Sequence, residues 1–504
     1  MINRRRFLGA AGAGLAAQAA PQTLWAEEAP SLFRVAARLA RSSFAGGSPP
    51  LAPPFADLTY DSYRAIRTQP GRSSGLPLGG SYSFDVLPPG LYFPDPVSID
   101  VPSASGQTEA LRFSPGLFEF DARYFGEIPQ TSPGAGFSGM RLRYPLNAPD
   151  VPDEVFVVQG ASYFRAIGQA MAYGLSARAV ALGTGGAAPE EFPRFTHLRL
   201  HRPEGGVARL EAVIDSPSLS GHMEMRLTPG AETVTSLAVT LFPRRDIADI
   251  GVAPLTSMYL KGPLRAAVSD DFRPRVHDSD ALVIENGAGE TLWRPISNPA
   301  ALQTSAFADT SPRSFGLYQT RRDFVDFEDG EASYHRRPSA KVVPRGAWGP
   351  GAVVLVEIPT ENEFMDNIVA FWRPGAPLIA GGAYRYAYDL VWTLAPPPLG
   401  ALRPVLQSRS GREHHIPGHR RFVVDFAGLP DGLVPDLSVS GQGAAVSGLS
   451  LHGLPYAEIS RATFLLAPGE AGAAELRLML RAEDGTPMSP VWLHRWTRPR
   501  GGGV

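Results

Sequence analysis

The sequence predicts an all-β fold, and three observations carry that prediction. Glycine (53) and proline (49) together make up about a fifth of the 504 residues, a density of turn formers that favours short strands over long helices. Apolar residues between about 110 and 395 recur in strand–turn–strand order with period-two alternation. The chain is also too long for one ordinary core, so it should divide into domains.

The elements follow in chain order. Arg4-Arg5-Arg6-Phe7-Leu8 leads into an Ala/Gly-rich stretch through Ala20, and Leu24-Trp25-Ala26 offers a small residue for cleavage. Residues 1–26 therefore read as a twin-arginine export signal. Its apolar part is too short and too mild for a stable membrane anchor, which needs about 20 apolar residues. The mature protein is expected to start near Glu27, soluble in the periplasm. Over residues 32–44, Leu32, Val35, Ala36 and Leu39 stand at helical spacing among arginines, predicting a short amphipathic helix. A Gly/Ser loop at 71–82 and a strand near 91–101 come next.

Further on, Met223, Met225 and Leu227 alternate with polar residues, Thr228-Pro229-Gly230 supplies a turn, and Leu237, Val239 and Leu241 alternate again. That pattern predicts an antiparallel pair with one buried face. The β-branched run at Val353–Val356 predicts a buried strand. After a polar turn, the stretch Asp366–Trp372 looks extended, which would set Asp366, Ile368, Ala370 and Trp372 on one face. Ala395-Pro396-Pro397-Pro398-Leu399-Gly400 cannot belong to a central strand and marks a boundary. Accordingly, residues 30–394 form a large domain, 395–403 a linker, and 404–500 a small β-sandwich of immunoglobulin-like size. Strands are expected in the last unit at 421–426, 461–466, 475–481 and 490–496, with Asp484-Gly485 turning the final hairpin.

Composition removes several classes of function. The 47 basic and 49 acidic residues balance, and no long basic run lies beyond the N-terminus, so nucleic acid is not an expected partner. With no cysteine in the chain, thiolate metal sites, iron–sulfur clusters, disulfides and cysteine nucleophiles are excluded. No G-x-S-x-G elbow, Walker A loop or dinucleotide fingerprint is present. No cofactor is expected.

Three clusters could carry chemistry besides Asp366, whose carboxyl beside an indole would hold its proton as a general acid does. In His277-Asp278-Ser279-Asp280 a carboxylate enters a strand, where it could act as a base or simply close an Asx turn. Trp293-Arg294, Tyr334 with Arg336 and Arg337, and Trp348 could line a sugar groove, since pyranose faces stack on exposed rings; buried aromatics would look identical in sequence. Glu413-His414-His415 with His419 has metal-like spacing but no H-E-x-x-H pattern, so a solvated loop is preferred and no metal is expected.

Longer segments add a resemblance. L-T-Y-D-S-Y-R-A-I-R at 58–67, G-A-S-Y-F-R-A-I-G at 160–168, Y-G-L-S-A-R at 173–178 and E-E-F-P-R-F at 190–195 are among them. A-P-L-T-S-M-Y at 253–259, R-P-R-V-H-D-S-D at 273–280, L-W-R-P-I-S-N-P at 292–299, R-R-P-S-A at 336–340 and V-E-I-P-T-E-N-E-F-M-D-N-I-V-A-F-W at 356–372 continue the series. Together they resemble the periplasmic glucan biosynthesis proteins OpgG and OpgD (MdoG and MdoD), with a leader closer to the D type. The resemblance implies a large N-terminal β-sandwich joined to a small immunoglobulin-like domain, and a role in making osmoregulated periplasmic glucans. It further implies an inverting endo-β-1,2-glucanase, with Asp366 as general acid and Asp278 as base, their carboxyls at least ~6.5 Å apart. No catalytic role falls to Asp280. The expected substrate-binding residues are Trp293, Arg294, Tyr334, Arg336, Arg337, Trp348 and Trp372. The expected partner is β-1,2-glucan, with a homodimer left open. The alternative is a non-catalytic glucan-binding scaffold that controls backbone structure or branching.

Overall fold

The computed structural model describes residues 31–47, 50–103, 108–264 and 270–499; the leader predicted at 1–26 lies outside them. The fold is all-β. Two large sheets dominate the described residues, one of 14 strands and one of 11. Their inner faces meet in a single core. The larger sheet contributes Leu210, Met223, Met225, Leu237, Val239, Tyr388 and Trp392, and the smaller contributes Phe84, Leu142, Phe164, Leu355, Ile368 and Trp372. Each aliphatic side chain buried this way stabilises by about 1.5–3 kcal/mol.

Period-two alternation is the cause of this layering. Leu219–Thr228 and Thr233–Pro243 pair antiparallel with Met223 opposite Val239 and Met225 opposite Leu237, as the sequence predicts. Gly351–Glu357 pairs with Ile368–Pro374, placing Val353 opposite Trp372 and Leu355 opposite Ala370. The predicted helix is present over Ser31–Ala40, and packs Leu32, Ala36 and Ala37 onto Val213 and Phe242. Those two residues point away from the core, so the helix covers the outer face of the 14-stranded sheet.

Residues 394–404 contain no strand. Beyond them Val405–Arg412, Arg420–Ala427, Ile459–Ala467 and Ala445–Gly453 form a four-stranded sheet. The other face of this C-terminal sandwich comes from Leu433–Ser440, Ala473–Ala482 and Val491–Thr497, which are continuous with the 14-stranded sheet. The junction is a parallel pairing of Val491–Thr497 with Thr291–Pro295, Trp492 lying opposite Trp293. Ala281, Val283, Trp293 and Tyr318 accordingly share a core with Phe422, Phe464 and Trp492. A change of composition at the Pro-rich segment thus does not coincide with a break in the hydrogen-bonded sheet.

Candidate active site

Asp278 and Asp366 reach one place from the two sides of a single short backbone stretch, Met258–Tyr259. On one side, Tyr259–Lys261 pairs with Val276–His277, and the Asp278 N–H donates to the Met258 carbonyl (2.8 Å). On the other, the Asn367 side chain accepts from the Tyr259 N–H (2.8 Å) and donates to the carbonyls of Tyr259 (3.1 Å) and Ile358 (2.8 Å). Asn367 is fully buried, and these bonds satisfy its amide. They also fix its neighbour, Asp366.

The two carboxyls have different surroundings. Asp278 is buried and receives a hydrogen bond from Arg337 Nη1 at 2.5 Å. Asp366 keeps 37% of its side chain exposed and has only a loose contact, 3.9 Å, to Arg165 Nη2. Its pKa is raised above the ordinary Asp value. Loss of hydration on burial is the main cause; the Arg165 charge opposes it, the Asp278 charge reinforces it, and Arg178 and Arg337 oppose it more weakly. One carboxyl binds its proton more tightly than an ordinary Asp, beside a second that is paired with a guanidinium.

The wall around them is arginine and aromatic. Arg178 is almost fully buried, ion-paired to Glu190 at 2.6 Å and lying over the rings of Tyr163 (5.3 Å) and Phe192 (5.7 Å). Arg337 lies over the Tyr334 ring at 4.2 Å. A Cβ on Gly174 would fall 2.7 Å from the Arg337 Cβ, so the glycine of the Y-G-L-S-A-R segment leaves room for that side chain. The Tyr334 hydroxyl donates to Glu363, which also accepts from Arg273 at 2.8 and 3.3 Å. Burial, followed by that hydrogen bond, raises the Tyr334 pKa and keeps the phenol protonated.

Glu363 anchors the loop before Asp366, and Asn298 Oδ1 holds its start by accepting from the Thr360 N–H (3.0 Å). The loop tip presents Phe364, 91% exposed, with Met365 partly exposed beside it. His277 takes no part as a base: its ring is buried against Tyr259 (centroids 5.1 Å apart), and burial lowers its pKa. Asp280 accepts from the Thr320 N–H (2.9 Å) and hydroxyl (2.6 Å), a structural engagement.

Of the residues expected to bind or act on substrate, Asp278, Asp366, Tyr334 and Arg337 come together. Others do not. Trp372 has no exposed surface and belongs to the sandwich core. The strand begins at Ile368, so the alternation does not reach back to Asp366, which lies beside Arg165 on the outer face while Trp372 points inward. The expectation of a shared face is corrected on that ground. Trp293 is buried where the two sandwiches share a core. Arg294, also buried, is ion-paired to buried Glu357 at 2.9 Å, so neither side chain has surface for a sugar. Trp348 packs edge-on against Tyr386 and Tyr388, near the end of strand Ile368–Pro374 far from Asp366. Arg336 is exposed and donates to the Ala170 carbonyl (3.0 Å). In the C-terminal sandwich, Glu413 accepts from Arg421 (2.7 Å) and the His415 N–H (3.0 Å), which engages its carboxylate.

Sequence reasoning missed Arg165, Tyr163, Arg178 and Phe364. The first two were legible as the polar positions of Tyr163–Ala166, where Phe164 and Ala166 are the buried alternates. Phe364 carried a weaker signal, an aromatic ring flanked by polar residues in a turn.

Fold and site together define an all-β protein whose double sandwich brings two aspartates together among arginines and tyrosines. The family model described as "Periplasmic glucan biosynthesis protein, MdoG" matches residues 28–496, and the chain belongs to that family. It is 41% identical over 477 residues to glucans biosynthesis protein G of Vibrio cholerae, covering 93% of this chain and 86% of the relative. It is 40% identical over 476 residues to glucans biosynthesis protein G 1 of Shewanella oneidensis, with the same coverage. A third relative, glucans biosynthesis protein G of Shewanella frigidimarina, is 39% identical over 474 residues, covering 93% and 84%. Among the described residues no helix is long and apolar enough to cross a membrane.

Proposed function

We propose that this protein is a periplasmic, inverting endo-β-1,2-glucanase that acts on the glucan backbone, exported through its twin-arginine leader. The observation supporting this most is the contrast between Asp366, whose pKa is raised by burial, and Asp278, paired with Arg337. Carboxyls with environments that differ this way divide into acid and base. Asp366 protonates the leaving glycosidic oxygen, directly or through a hydroxyl or water relay. Asp278 draws a proton from the water attacking the anomeric carbon on the opposite face. Positive charge at Arg165 and Arg337 stabilises the carboxylates as protons move. Phe364 offers an apolar face to a pyranose ring beside the acid.

Asp366→Asn and Asp278→Asn are each expected to fold and bind glucan while losing about 100- to 10,000-fold in turnover. Reducing-end assays on linear β-1,2-glucan measure this. Turnover undiminished in either variant removes that residue from the mechanism. Wild-type protein that binds the glucan without shortening it would instead be a scaffold.

A further inference from the structure

A groove of about 650 Å³ opens on the outer face of the 11-stranded sheet, lined in part by Arg165, the residue that contacts Asp366. Its floor is the outward side of strands Gly139–Ala148, Val151–Gln159 and Tyr163–Ala166, which are neighbours in the sheet. The helix Tyr60–Arg64 and strand Ile66–Thr68 form its wall. Four arginines line it, Arg64, Arg67, Arg141 and Arg165, against one carboxylate, Glu154.

The pairing pattern shows where positive charge is left over. Arg141 is neutralised twice, by Asp85 (2.7 Å) and Glu154 (2.8 Å). Arg165 shares its charge with Asp366. Arg64 and Arg67 are exposed. Arg64 lies 5.5 Å over the Tyr60 ring. Asp121, whose pKa is lowered chiefly by Arg123 and only last by Arg67, is bound to Arg123 at 2.6 Å. Among the described residues the groove wall therefore carries two guanidinium groups without an ion-paired carboxylate, Arg67 standing across its strand pair from exposed Glu119.

We infer that this groove is an anion subsite for glucan chains bearing acidic substituents, phosphate ester or carboxylate, held by Arg64 and Arg67 while the backbone runs on past Arg165 to Asp366. Guanidinium groups recognise both kinds of anion through paired N–H donors. A neutral glucan can take hydrogen bonds from them but lacks the opposite charge that makes the bond charge-assisted on both sides. The inference rests on the glucanase reading for the direction of the chain, but not for binding itself.

The test compares neutral β-1,2-glucan with the same glucan lightly phosphorylated or carboxymethylated. Calorimetric binding to the Asp366→Asn protein is the first readout, and chain shortening by wild type the second. Binding of either anionic form should be about three- to tenfold tighter than that of the neutral one and should weaken with added salt. The Arg64→Ala/Arg67→Ala protein should lose that preference but still bind and process neutral glucan, whereas Arg64→Lys/Arg67→Lys should keep part of it. Equal binding of neutral and anionic glucan by the starting protein overturns the inference, as does a preference that survives the double alanine change. A preference in binding with no chain shortening by wild type leaves the subsite standing and removes the glucanase reading.

Discussion

At the scale of single residues, Asp366 concentrates the chemistry, and its environment gives a pH prediction with a definite sign. General-acid work needs the protonated form, so activity should be present below the Asp366 pKa and lost as pH rises through it. Because that pKa is raised, the alkaline limb of kcat/KM should lie above the ordinary Asp range. Arg165 is the strongest influence opposing the rise. Arg165→Ala should therefore move the alkaline limb to still higher pH, whereas a merely structural loss would lower activity at every pH without moving it. A pH–rate profile of the two proteins decides. Single residues also show why some of the site was hidden in the sequence. Trp293, Trp372 and Phe364 are all aromatic residues in family-like motifs, yet the first two are buried and the third is 91% exposed. Chemical type is shared among them; burial is set by partners distant in the chain.

At the scale of elements, the strands were legible and their ends were not. The hairpin Leu219–Thr228/Thr233–Pro243 could be drawn from alternation and a Thr-Pro-Gly turn, because one face is core along its whole length. The start of Ile368–Pro374 could not, because Asn367 uses its side chain on Tyr259 and Ile358 and ends the alternation one residue after Asp366. The loop between the two strands is an element in its own right. Its Glu363 is tied to Arg273 and Tyr334, which keeps the tip from folding back. Phe364→Ala removes the exposed ring while leaving those anchors, so KM for β-1,2-glucan oligosaccharides should rise about three- to tenfold with kcat less affected. Steady-state kinetics measure it, and an unchanged KM would exclude Phe364 from substrate contact.

At the scale of the whole molecule, the two sandwiches are joined by a continuous sheet and by a common core that includes Trp293 and Trp492. Composition located the strand-free segment near residue 395 but could not show this joint, since a parallel pairing between distant strands leaves no local mark. One consequence is measurable. A fragment ending at residue 400 leaves Ala281, Val283, Trp293 and Tyr318 without their partners, and is expected to aggregate or to melt without a cooperative transition, while the full chain melts in one. A fragment that melts as sharply as the full chain would show that the halves fold independently.

The parallel pairing of Thr291–Pro295 with Val491–Thr497 also sets an order of events. The strand that completes the sheet beside Trp293 comes far later in the chain than Thr291–Pro295, so the core around that tryptophan cannot close until Val491–Thr497 has been made. A chain that stops before Val491 loses more than a peripheral module: it never seals the flank of its largest sheet.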